Sequence, residues 1–121
     1  MDSKAHFFSK ELAEVYGVRE AIMLNNIIYW IATNRAKNNN YIDGRTWTYS
    51  PIVDFKNYFT YWTDSQIRTV ISNLLKKEVL IVDNFNKVKY DRTKWYALKD
   101  EEYFLKNFNP MDKTDKWNNK F

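Results

Sequence analysis

Three features of this 121-residue sequence predict a single, mainly α-helical α+β domain with small β-hairpins. Apolar residues recur at helical spacing over residues 67–75, and Asp-Gly sits between β-prone residues at 43–44. After Glu78 the apolar period shortens from that of a helix to that of a buried strand.

The elements follow in chain order. Ser9 is placed to cap a short helix over residues 10–16, and Gly17 to end it in a left-handed conformation. A second helix over 18–33 carries apolar residues on more than one face (Val18, Ala21, Ile22, Met23, Leu24, Ile27, Ile28, Tyr29, Trp30, Ile31). A helix wet on one side needs only a stripe, so this one is central to the core or partly covered by a partner. Residues 35–40 read as a polar loop, and 41–48 as a hairpin turning at Asp43-Gly44. Ser50 as N-cap and Pro51 as first helical residue open a third helix that reaches Phe59 and buries Ile52, Phe55 and Phe59. Thr60-Tyr61-Trp62 makes a tight turn, after which Thr63 and Gln66 form a capping box. The fourth helix then presents Ile67, Val70, Ile71, Leu74 and Leu75 as one amphipathic stripe. A strand over 79–82, a turn-rich tip over 83–87 and a returning strand over 93–98 complete a domain spanning residues 1–99. Residues 100–121 read as a short helix around 101–106 and a polar tail. Two helices joined by a short turn and followed by a hairpin give the winged helix-turn-helix order.

Composition narrows the function. With 45% hydrophobic and 18% aromatic residues, intrinsic disorder is excluded. The absence of cysteine removes disulfides and thiolate metal sites and fits a reducing, cytoplasmic setting. The first six residues lack a signal-peptide layout, and the apolar run 21–32, broken by Asn25 and Asn26, is too short to span a bilayer. Catalysis has few parts to draw on: one histidine (His6), two glycines and scattered carboxylates. The expectation is a chain with no enzymatic activity, no metal and no cofactor.

Charge points to a binding face. Residues 37–99 hold eleven basic against six acidic groups, whereas residues 1–36 are balanced and residues 100–121 slightly acidic. Plotted at 3.6 residues per turn, Ser65, Thr69, Ser72 and Lys76 lie opposite the apolar stripe, with Arg68 on one flank and Gln66 and Asn73 on the other. Short hydrogen-bonding side chains around one arginine suit a helix that approaches base edges, although a merely solvated face has the same look. In Lys87-Val88-Lys89-Tyr90 the lysines alternate with apolar residues, so both project from one side of an extended chain; Arg92 and Lys94 follow. Such a tip contacts phosphates or protects a sheet edge from aggregation, and its position after a polar helix favours phosphates. The aromatics of 47–62 and Trp95-Tyr96 could stack on single strands, but their periodicity assigns most of them to the core.

Four segments carry a resemblance: residues 6–13 (HFFSKELA), 24–31 (LNNIIYWI), 43–49 (DGRTWTY) and 90–98 (YDRTKWYAL). Together they resemble the N-terminal winged-helix region of phage and prophage replication proteins, including replisome organisers related to DnaD-type primosome proteins. The resemblance covers roughly residues 6–99. It implies a winged-helix fold, origin or promoter-region duplex DNA as target, and self-association as a homodimer. DNA contact would fall on Arg68 and its helix neighbours and on Lys87, Lys89, Arg92 and Lys94. Two departures stand out: Glu78 occupies a position where such helices often end in glycine, and the chain ends soon after the second hairpin, where relatives continue into a further domain. The first expectation is therefore a double-stranded DNA-binding protein acting in replication initiation or its control. A transcriptional repressor and a standalone winged helix that inhibits a host protein are the alternatives.

Overall fold

The computed structural model describes residues 5–109, an α+β chain of five helices and two small antiparallel sheets. Helix α1 (Lys10–Tyr16) starts where the Ser9 hydroxyl accepts the Leu12 N–H at 3.3 Å. Gly17 ends it at φ 103° and ψ 156°, positive in φ but extended rather than left-handed helical, and the same residue caps the start of α2 (Val18–Ala36). Its φ of 103° is a conformation that L side chains rarely adopt, so this reversal favours glycine; a Cβ there would also displace the tip of the Glu20 side chain, 2.6 Å away.

Helix α2 runs three residues beyond its predicted end because its last turn is anchored. Asn34 Nδ2 donates to the Trp47 carbonyl at 2.9 Å, and the Arg35 guanidinium meets Glu101 at 3.1 Å and Glu102 at 2.8 Å. Ala21, Met23, Leu24, Ile27, Ile28 and Ile31 are fully buried. The fold takes up most of the apolar surface of this helix, while Val18 is 54% exposed and Ile22, Tyr29 and Trp30 are half-buried.

Strands β1 (Tyr41–Ile42) and β2 (Arg45–Thr46) pair antiparallel, Tyr41 opposite Thr46. Asp43 and Gly44 between them both have positive φ, as a two-residue primed turn requires. The chain then changes sheets. Strand β3 (Thr48–Tyr49) pairs not with the hairpin but with β5, giving a three-stranded sheet in the order β3-β5-β4. Helix α3 (Ile52–Tyr58) begins one residue later than the sequence predicts, with Pro51 at its N-cap and no side-chain cap. The Ser50 N–H instead donates to the Lys94 carbonyl at 3.3 Å, which holds that residue to the strand side.

Helix α4 (Asp64–Lys76) has both bonds of the capping box: Thr63 N–H to Gln66 Oε1 at 2.9 Å and Gln66 N–H to Thr63 Oγ1 at 3.1 Å. Ile67, Val70, Ile71 and Leu74 are buried, each contributing roughly 1.5–3 kcal/mol. Beyond Lys77 the helix closes in a Schellman arrangement, with Val79 N–H bonded to the Leu74 carbonyl and Glu78 N–H to that of Leu75. Glu78 consequently sits at φ 58°.

Strands β4 (Leu80–Asp83) and β5 (Trp95–Leu98) pair antiparallel, Leu80 opposite Leu98 and Asp83 opposite Trp95. The loop between them departs from the prediction: residues 87–90 form a bend and turn, not an extended segment, so side-chain alternation does not apply there. Helix α5 (Glu101–Phe108) places Phe104, Leu105 and Phe108 in the same core as α2 and α4, so that core extends past residue 99. The predicted polar tail falls mostly on residues 110–121, outside the described residues. Among the described residues, no helix is long and apolar enough to cross a membrane.

Candidate nucleic-acid interface

Helix α4 turns its apolar stripe inward and presents a polar face of hydroxyls and cations. Ser65, Arg68, Thr69 and Lys76 are exposed and Ser72 is half-buried. With Asn73 they line a shallow groove along the helix. The two residues assigned to the other flank have structural partners. Gln66 spends its carbonyl on the capping box, and Asn73 Nδ2 donates to Glu20 Oε2 on α2 at 2.9 Å. Gln66 thus serves the start of α4 through its carbonyl and Asn73 ties α4 to α2, which leaves Arg68, Lys76 and the hydroxyls as the freer hydrogen-bonding groups of this face.

A second concavity, a cleft of about 620 Å³, lies between α4 and the base of the β4–β5 loop. Arg68 and Ser72 contribute from α4, Arg92, Thr93 and Lys94 from the loop, and Ser50 and Pro51 from the approach to α3. Ile71, Leu75 and Tyr96 supply apolar lining. Burial pushes the Tyr96 hydroxyl pKa up while the Arg68 charge opposes it, so the guanidinium acts electrostatically at the mouth of this buried ring.

The structure thereby divides the loop cations into two groups. Arg92 and Lys94 share the cleft with Arg68, whereas Lys87 and Lys89 belong to the outer part of the loop. Asn86 braces that loop from within. Its Nδ2 donates to the carbonyls of Asp91 and Thr93 at 2.9 and 2.7 Å, and its Oδ1 accepts the Trp95 indole N–H at 2.8 Å. Phe85 packs edge-on against both Trp47 and Trp95.

Exposed cations outside ion pairs are most numerous on this face, although Lys10, Arg19, Lys37 and Lys106 elsewhere are also exposed and outside the ion pairs of the described residues. Ion pairs join Arg35 to Glu101 and Glu102, Lys56 to Asp64, and Lys99 to Glu78. Arg45 donates to the carbonyls of Leu98 and Lys99, and Lys77 to that of Tyr16. Among the described residues, none of these ion pairs includes Arg68, Lys76, Lys87, Lys89, Arg92 or Lys94, all of which are exposed or half-buried. The acid nearest to the loop cations in sequence, Asp91, accepts the Thr93 N–H at 3.0 Å, and this bond holds its carboxyl below the usual carboxylate range.

His6 is engaged elsewhere: its ring stacks on Tyr58 with centroids 4.5 Å apart, and its Nδ1 lies 2.6 Å from the Tyr61 hydroxyl. Burial lowers its pKa, and it lines neither concavity described above. Sequence reasoning overlooked Ser50, Pro51, Thr93 and Tyr96 as parts of the cleft. Only the β3–β5 pairing, which joins distant segments, brings the start of α3 beside the loop. Compared with known proteins, the chain matches no family model, no curated protein and no solved structure.

Proposed function

We propose that this chain is a winged-helix protein that binds double-stranded DNA, with α4 as the recognition helix and the β4–β5 loop as the wing. The observation that carries the reading is a pair of adjoining concavities lined by Arg68, Lys76, Arg92 and Lys94 and, among the described residues, by no acidic side chain. The element order α3, turn, α4, β4, β5 and the strand order β3-β5-β4 support the winged-helix assignment. In this account α4 enters the major groove. Arg68 pairs with guanine, Thr69 offers a methyl to thymine, and Ser65 and Ser72 approach base edges closely because they are short. Arg92 and Lys94 hold the phosphates of the strand that passes along the cleft, which fixes register without reading sequence. The resemblance of residues 6–99 to phage and prophage replication proteins supports a role in replication initiation or its control. The reading includes no catalytic step.

The test is selection from a pool of random duplexes with the full chain. The expected outcome is enrichment of a short motif containing at least one guanine that Arg68→Ala no longer selects. A pool that stays random after repeated rounds would contradict sequence-specific reading by α4.

A further inference from the structure

The tip of the β4–β5 loop combines features that phosphate binding does not use. Asp91 N–H donates to the Val88 carbonyl at 3.0 Å, closing a turn whose two corner residues are Lys89 and Tyr90. Tyr90 is 86% exposed and Val88 44% exposed, so an aromatic ring and an isopropyl group project from the end of a cationic loop. Lys87, Lys89 and Arg92 flank them, all exposed. The Asn86 bonds and the Asp91 carboxylate, which accepts the Thr93 N–H, hold the backbone beneath the tip, although no β-ladder reaches it. A loop braced in this way has lost much of its freedom before it meets a partner, which makes insertion less costly.

Apolar side chains between cations match one environment closely. In the minor groove, phosphates on both walls receive the lysines and arginine, while base steps at the floor accept an apolar wedge that unstacks them. Arg92 belongs both to this tip and to the cleft it shares with Arg68, so the tip is continuous with the proposed major-groove face. We propose that Tyr90, supported by Val88, is a wedge that enters the minor groove beside the α4 site and bends the duplex. The proposal rests on the duplex-binding reading above.

The experiment places the full chain on a duplex carrying its selected site and measures the bend by energy transfer between end labels. Unstacking is followed by 2-aminopurine fluorescence in the flanking steps. Wild type is expected to kink the duplex by roughly 20–90° and to raise the 2-aminopurine signal. Tyr90→Ala is expected to abolish both signals while affinity stays within about tenfold of wild type, because the gain from the wedge is largely offset by unstacking. Tyr90→Phe, which keeps the ring, is expected to retain the bend. Exposure of Tyr90 predicts that each variant keeps the wild-type thermal midpoint, which separates these outcomes from unfolding. Duplex binding without a bend, or an equal bend with Tyr90→Ala, would overturn the wedge and leave the binding face intact. Absence of duplex binding by wild type would overturn both.

Discussion

Arg68 and Asn73 lie on one helix and line one groove, yet their surroundings give them different work. Arg68 is exposed and outside every ion pair among the described residues, a planar donor free to meet a base in two-point fashion. Asn73 is half-buried, and its amide donates to Glu20, itself only 9% exposed. Arg68→Ala should therefore cost about 1–3 kcal/mol on the preferred duplex and relax discrimination at one base pair, with stability unchanged. Asn73→Ala should do the reverse. Removing the donor from a buried carboxylate should destabilise the fold by about 1–3 kcal/mol and leave base preference alone. Competition binding against single-base variants, together with denaturant unfolding of each protein, separates the two. The sequence supplied the helical face on which both residues lie; nothing in it signalled the bond to Glu20, a partner 53 positions away.

At the scale of elements, α4 was the most legible part of the chain and its ending the most instructive. Thr63, Gln66 and the stripe from Ile67 to Leu74 act locally, so their pattern is written in consecutive residues. The end at Glu78 is a left-handed position held by a non-glycine residue, at φ 58°. Glu78→Gly should relieve that strain and raise the thermal midpoint by roughly a few degrees, since the exposed pair with Lys99 contributes little in water. A midpoint that falls would show that the pair outweighs the strain. Other elements were hidden for physical reasons. β3 is two residues long and gains its identity only by pairing with β5. In the loop, Lys87-Val88-Lys89-Tyr90 has the alternation of a strand, but the Val88–Asp91 turn and the Asn86 bonds decide its shape. Both depend on interactions that a period-two pattern does not encode.

Two features matter at the scale of the whole molecule: a central helix with six fully buried apolar residues, and six exposed cations gathered on α4 and the adjoining loop. Most of the apolar surface of α2 is used within the fold, and Val18 is its most exposed large apolar residue. Arg68, Lys76, Lys87, Lys89, Arg92 and Lys94, all exposed, give the α4 and loop face a positive field, within a chain of net charge +4. Such a field attracts a polyanion and weakens as salt rises. The central claim is best tested by measuring the affinity of the full chain for a duplex across a series of salt concentrations, beside the double variant Lys87→Ala, Lys89→Ala. Affinity should fall linearly on a log–log plot with a slope of about −0.9 for each phosphate neutralised. The double variant should flatten that slope by roughly 0.9 for each phosphate it no longer reaches, on every duplex alike. No duplex binding at low salt, or binding whose strength ignores salt, would contradict the claim.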